Sequence, residues 1–147
     1  MYSKIMVAVD GSRNADLALA EAVQIAKACG SEIAVVHVID NDYLRCDPLF
    51  IDPDELRRAL RDNGKALLKA ACDRVEAQRI PCVARLIDEP AAIGDISTVV
   101  EQAAQEGGAE LLVIGTHGRH GTRRLLLGSV AEGLVRHTRL PVLLVRG

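Results

Sequence analysis

The chain has 147 residues, of which 49% are hydrophobic and 26% charged, so one domain with its own hydrophobic core is expected. Its 18 basic and 20 acidic residues give a net charge of −2, which argues against a protein held to nucleic acid by bulk electrostatics. Tyr2, Tyr43 and Phe50 are the only aromatic residues, too few for the base-stacking surfaces of single-strand binders. No apolar run approaches the about 18 residues that cross a bilayer, and no signal-peptide pattern opens the chain. We therefore expect a cytoplasmic protein that binds neither nucleic acid nor a membrane.

The cysteines do not indicate a metal or redox site. Cys29, Cys46, Cys72 and Cys82 match neither the paired spacing of zinc ligands nor a Cys-x-x-Cys motif. We expect all four to be reduced thiols.

Five short apolar runs predict five strands, at residues 5–9, 33–39, 82–87, 111–114 and 142–145. Segments of helical periodicity separate them. The first ends at Gly30, the second begins with Asp52 as N-cap and Pro53 as first helical residue, the third stops before Gly107, and the fourth precedes Pro141. Alternating strands and helices, with strands that are apolar throughout, predict one α/β domain over residues 1–147. We expect a doubly wound, five-stranded parallel sheet of order 3-2-1-4-5 with helices on both faces. The longest irregular stretch, residues 40–51, is either a lid or assembly surface or an ordinary surface loop.

Two of the predicted strands end in polar residues and glycines. Asp10, Gly11 and Ser12 follow the first strand, and a glycine-rich, basic stretch at 115–124 follows the fourth. Parallel sheets bind ligands beyond the carboxyl ends of their strands, where the strand order reverses. In the order 3-2-1-4-5 these two exits face each other and line one cleft.

The fourth exit has the chemistry of a phosphate site. Glycines allow backbone amides to approach phosphate oxygens, a helix N-terminus at Gly128 offers unpaired N–H groups, and Arg119 adds positive charge. Neither the GxxxxGK loop nor the GxGxxG fingerprint occurs.

The spacing of these glycines is more specific than their number. Gly115, two residues, Gly118, nine residues, and then Gly128 with Ser129 form a pattern that resembles the universal stress protein family. The opening VAVDGS at 7–12, His37 with the following Val38, and PVLLV at 141–145 are similar to that family as well. The resemblance covers essentially the whole chain.

The resemblance implies a Rossmann-like fold that binds ATP. It implies that Val9 and Asp10 meet the nucleoside and its ribose, and that the Val38 main chain meets the adenine. The implied nucleotide and phosphate contacts are Gly115, Gly118, Gly128, Ser129 and Val130. ATP normally carries Mg²⁺, which makes this ion a further candidate cofactor.

Three of the conspicuous residues also have a purely structural interpretation. Ser129 and Glu132 together match a helix capping box, and Asp10 could simply begin an Asx turn with Gly11 and Ser12. His37 is interpreted as a satisfied core or rim histidine.

The leading hypothesis is a cytoplasmic ATP-binding regulatory protein of the stress response. The alternatives are a slow ATPase or adenylate-forming enzyme on the same fold, and an interaction protein with an empty site. Only Asp10, His117 and His120 could activate a water molecule near the phosphates.

The final strand predicts self-association. Val142, Leu143, Leu144 and Val145 are apolar on both faces of a strand at the edge of the sheet in the order 3-2-1-4-5. An uncharged apolar edge favours strand pairing, so a homodimer through this strand is expected, and the family resemblance implies the same pairing. The partner of any regulatory function is not identified by the sequence.

Overall fold

A computed structural model describes residues 1–39, 52–88, 96–117 and 127–147. The predicted 40–51 loop, Cys46, Gly118, Arg119 and His120 lie outside these residues. The elements in chain order are β1 (Lys4–Ala8), α1 (Arg13–Cys29), β2 (Glu32–Val38), α2 (Pro53–Glu76), β3 (Cys82–Ile87), α3 (Ile96–Glu106), β4 (Leu111–Gly115), α4 (Ser129–His137) and β5 (Val142–Val145).

The strands form one parallel sheet of order β3-β2-β1-β4-β5. This confirms the predicted fold class and strand order. The order reverses between β1 and β4, which makes the carboxyl ends of these two strands the switch point of the sheet.

Hydrophobic side chains cover both faces of the sheet because its central strands β1, β2 and β4 are mostly apolar. One cluster packs α1 and α2 against odd-numbered residues of β1 and β2, including Ile5, Val7 and Val35. The other packs α3 and α4 against Met6, Val36 and further residues of the opposite face. The centre of the sheet is therefore buried between two helical layers, while the edge strands β3 and β5 stay partly exposed.

The first helix ends and the second helix begins where the sequence indicates. The Ser12 hydroxyl accepts a hydrogen bond from the Ala15 amide at 3.2 Å, and α1 ends at Gly30, whose φ of 69° suits glycine. The Asp52 carboxylate accepts from the Asp54 amide at 3.0 Å at the start of α2, which has Pro53 as its first residue.

The predicted capping box at the start of α4 is wrong. Gly128 is the N-cap, Ser129 is already the first helical residue, and no side chain caps the helix. Glu132, the other half of the predicted box, pairs instead with Arg136 at 3.0 Å. The one-residue shift arises because the N-cap conformation falls on Gly128, which leaves the Ser129 hydroxyl one position too late to reach the amides of the first turn.

No helix among the described residues is both long and apolar enough to span a membrane.

Candidate functional site

The sheet register brings the polar strand exits to one level. Ala8 lies opposite Val36 of β2, and Val7 lies opposite Val113 of β4. Continuing each register by one or two residues places Val9 between His37 and Gly115, three neighbouring strand ends in a row. Asp10 follows Val9 and Val38 follows His37, so both residues lie at the open edge of the sheet where the strands end.

The Asp10 side chain is fixed by a local turn. Its Oδ1 accepts a hydrogen bond of 2.9 Å from the Ser12 amide, and the intervening Gly11 has a φ of 82°. This is the Asx turn considered as a structural interpretation of the sequence. The turn holds the carboxyl group at the mouth of β1, partly exposed, directly before the N-terminus of α1. Its predicted contact with a ribose is compatible with the turn and stays a prediction.

Gly115 is a glycine for reasons of packing. A Cβ atom there would lie 2.8 Å from Cβ of Asn14 and within 3.0 Å of the backbone carbon and oxygen of the same residue. Since the backbone of a helix cannot easily retreat, β4 and α1 can approach this closely only at a residue without a side chain. The first glycine of the motif therefore has a role that needs no ligand.

The N-terminus of α4 lies beside the end of β4. The Gly128 amide donates a hydrogen bond of 2.6 Å to the Thr116 carbonyl, and the Gly128 carbonyl accepts from the Glu132 amide to begin the helix. The predicted phosphate contact through the Gly128 amide therefore competes with a bond inside the protein. The amides of Ser129 and Val130 precede the first intrahelical donor, so they carry the partial positive charge of the helix end.

From the sequence, His117 is only a candidate to activate water and is not among the predicted nucleotide contacts. Its Nδ1 lies 3.1 Å from Oγ1 of Thr116, and its Nε2 is a buried side-chain nitrogen without a hydrogen-bond partner in the described part of the chain. A buried nitrogen without a hydrogen-bond partner costs free energy of folding. His117 also immediately precedes Gly118 of the motif in sequence. Its position three residues after the predicted strand at 111–114, and directly before Gly118, was the feature of the sequence that could have assigned it to the site.

A buried carboxylate fixes α2 over the end of β3. Asp88 Oδ2 accepts from Nε of Arg57 at 3.1 Å and from Nη1 of Arg61 at 2.9 Å, and the Asp88 side chain is 6% exposed. No local spacing pattern predicts this contact, because the partners are about thirty residues apart.

The described residues contain no group of three or more His, Cys, Asp or Glu side chains suited to a metal ion. Of the predicted site residues, Val9, Asp10, Val38, Gly115, Gly128, Ser129 and Val130 fall on the same edge of the sheet. Gly118 and Arg119 lie outside the described residues.

A doubly wound parallel sheet with an aspartate turn at one side of its switch point and a helix N-terminus at the other is the architecture of an α/β domain whose ligand cleft lies at the carboxyl ends of its strands. The chain belongs to the universal stress protein family, whose sequence model matches residues 1–146.

Individual proteins of this family match the chain over nearly their whole length. The universal stress protein YxiE of Bacillus subtilis is 28% identical, and the match covers 99% of this chain and 100% of the relative. A crystal structure of a family protein from Burkholderia pseudomallei is 35% identical with a TM-score of 0.79, covering 98% of this chain and 96% of the other. A universal stress protein crystallised in complex with cAMP is 25% identical with a TM-score of 0.69, covering 99% and 97%.

Proposed function

We propose that this chain is a cytoplasmic regulatory protein of the stress response that binds ATP at the switch point between β1 and β4. The observation that carries the proposal is the convergence of Asp10, Val38 and the N-terminus of α4 at one edge of the sheet. These groups suit the three parts of a nucleotide: a carboxylate for ribose hydroxyls, a strand main chain for a base, and helical amides for phosphates. The relative that was crystallised with cAMP supports an adenine nucleotide.

The proposed phosphate end of the site consists mainly of backbone groups, with one basic side chain beside them. The amides of Ser129 and Val130 point out of the first turn of α4, and Arg119 is the proposed source of additional charge. Gly118 completes the proposed contacts to the nucleotide. Mg²⁺ would accompany the triphosphate, whose own oxygens bind it well.

The first experiment identifies the ligand directly. The purified protein is denatured, and any released small molecule is identified by chromatography and mass spectrometry. Release of an adenine nucleotide supports the proposal. If nothing is released, calorimetric titration with ATP decides, and absence of binding at millimolar ATP contradicts the proposal.

The second experiment locates the phosphates with a matched pair of variants. Ser129→Pro removes the first free amide of α4, yet proline is favoured at the first helical position, and Gly128 with φ −61° and ψ 156° has the conformation that precedes proline readily. Ser129→Ala keeps the amide and removes only the hydroxyl. We expect Ser129→Pro to weaken ATP binding by about tenfold or more, as for a lost charge-assisted hydrogen bond, and Ser129→Ala to stay within about twofold. Equal affinities of both variants would place the phosphates elsewhere.

A third variant tests the ribose end. Asp10→Ala removes the carboxylate and should weaken ATP binding more mildly than Ser129→Pro, since a ribose hydroxyl bonds less strongly than a phosphate. Unchanged affinity for ATP would show that the Asp10 side chain forms only its Asx turn and does not contact the ribose.

A further inference from the structure

His37 makes a buried hydrogen bond at the base of the proposed site. The residue is 8% exposed, and its Nδ1 lies 2.7 Å from the carbonyl oxygen of Val9. A carbonyl can only accept, so Nδ1 carries the proton and donates. Val9 is the first residue beyond β1 and the one that leads into Asp10. The Val9 amide in turn donates to the Val36 carbonyl at 2.9 Å, so both backbone groups of Val9 are held by β2.

The alternation of backbone hydrogen bonds along β2 shows which bond of the β1–β2 ladder the His37 side chain replaces. The amides of Ile33 and Ile39 donate to carbonyls on the β3 side, at Pro81 and Ile87. Backbone groups of a parallel strand face its two neighbours alternately, so Val38 turns its N–H and carbonyl towards β1. In an uninterrupted ladder the Val38 amide would donate to the carbonyl of Val9. Within the described residues no hydrogen bond joins these two groups, and the ladder ends at Ala8 and Val36.

We infer that His37 is a positioning residue: its imidazole occupies the Val9 carbonyl and thereby leaves the Val38 main chain open for the base of the nucleotide. The inference rests on the proposed function and deepens it. A strand residue with both N–H and carbonyl directed into a cleft offers one donor and one acceptor side by side. The edge of adenine that carries N1 and the 6-amino group offers the complementary acceptor and donor.

A glycine on the opposite helix makes room for the ring. A Cβ atom on Gly64 of α2 would lie 2.8 Å from Cδ2 of His37 and 2.8 Å from Cδ1 of Leu86. Gly64 lies within a 24-residue helix, where glycine is less favourable than alanine by about 1 kcal/mol. The missing side chain at Gly64 thus leaves space for the imidazole of His37, at a position where helix propensity favours alanine.

Amide hydrogen exchange tests the inference without any nucleotide. In the unliganded protein the Val38 amide should exchange at least about tenfold faster than the Val36 amide, one ladder step earlier. His37→Leu removes the competing donor, so the Val38 amide should pair with the Val9 carbonyl and slow down. His37→Asn, whose side-chain amide replaces the Nδ1 donor, should retain fast exchange at Val38. Slow exchange at Val38 in the unmodified protein, or no change in His37→Leu, would overturn the inference.

Calorimetry then tests the consequence for binding. We expect His37→Leu to lower the affinity for AMP by about fivefold or more and to leave that for ribose 5-phosphate within about twofold, because only AMP carries the base. His37→Asn should bind AMP within about twofold of the unmodified protein. A purely structural role would lower the melting temperature and leave the ratio of the two affinities unchanged, and this outcome would overturn the inference. If the unmodified protein bound neither AMP nor ATP, the proposed function would be wrong, and the exchange rates alone would decide the role of His37.

Discussion

The amide of Gly128 and the carbonyl of Thr116 are joined by a hydrogen bond of 2.6 Å. This bond ties the end of β4 to the N-cap of α4, so the segment between them begins and ends at one point of the sheet edge. The protein itself thus brings the helix N-terminus to the strand exit.

This geometry leads to a prediction about helix capping. Ser129→Ala should change the free energy of unfolding by less than about 0.5 kcal/mol, because the Ser129 hydroxyl caps no amide. Ser12→Ala is the matched comparison, since the Ser12 hydroxyl accepts from the Ala15 amide, and it should cost about 1 kcal/mol. Urea unfolding of both variants measures the difference. A larger loss in Ser129→Ala than in Ser12→Ala would contradict the observed cap.

A second prediction concerns the first glycine of the motif. Gly115→Ala should destabilise the protein by about 1–3 kcal/mol, because the new Cβ overlaps the backbone of Asn14. Gly30→Ala provides a control in which a Cβ meets nothing within 4 Å, and only the φ of 69° is unfavourable, at a cost of about 1 kcal/mol. Chemical denaturation should give a lower free energy of unfolding for Gly115→Ala than for Gly30→Ala. The reverse order would show that α1 moves away from the new side chain at little cost.

These two cases show which parts of the site could be predicted from the sequence. The positions of strands and helices and the polar exits followed from hydrophobic periodicity and glycine spacing, which are local signals. The strand order 3-2-1-4-5 was expected from the doubly wound fold class instead. The cap position at Gly128 depends on the bond to Thr116, and the need for glycine at 115 depends on the approach of Asn14. Both are tertiary contacts between residues far apart in the chain, and no local pattern records them.

His37 illustrates the same limit from the other side. Its interpretation as a satisfied buried histidine is confirmed by its burial and its bond to Val9. The partner could not be named from the sequence, because it depends on the register of β1 against β2.

The Cys82 thiol gives a prediction about pH. Burial first, and then a hydrogen bond with Cys72, raise the pKa of Cys82 well above its ordinary value of 9.0. The folded state therefore favours the protonated thiol. Below pH 9.0 the thiol is protonated in both the folded and the unfolded state, and the free energy of unfolding falls as the pH rises from 9.0 towards the raised pKa of the folded protein. We expect iodoacetamide to label Cys82 more slowly than Cys29 at pH 8.5, since only the thiolate reacts. Peptide mass mapping measures both rates, with urea-unfolded protein as the control in which they converge; equal rates in the folded protein would contradict the raised pKa.

We also expect catalysis to be slow. The Asp10 carboxylate already accepts from the Ser12 amide, and the unpaired Nε2 of His117 is buried, so neither group is presented to an incoming water molecule as a general base. Phosphate release from Mg·ATP should stay well under about 1 s⁻¹. Turnover of several per second that Asp10→Asn or His117→Ala abolishes would establish an ATPase in place of a binding protein.

The two edges of the sheet differ in a way that bears on assembly. All four residues of β5 are apolar and partly exposed, and they have β4 on one side only. The carbonyls of Pro141 and Val145 accept from the amides of Leu112 in β4 and of Thr116 just beyond it, so Val142 and Leu144 turn their backbone groups outwards. The other edge, β3, includes Arg85, which pairs with Glu106 at 2.7 Å, and charge on an edge opposes strand pairing.

We therefore predict a homodimer that pairs β5 with its copy, and we expect light scattering at micromolar concentration to give twice the mass of one chain. Leu144→Glu should yield a monomer, because a charge at the centre of the paired edge would be desolvated without a partner. Val83→Glu is the matched control on β3, where Val83 is 60% exposed, and it should remain dimeric. Since Leu144 also packs against the core, circular dichroism must show that Leu144→Glu is folded before its mass is interpreted. If that variant does not fold, the unmodified chain still decides: a monomer there, or a monomer produced by Val83→Glu, would exclude pairing through β5.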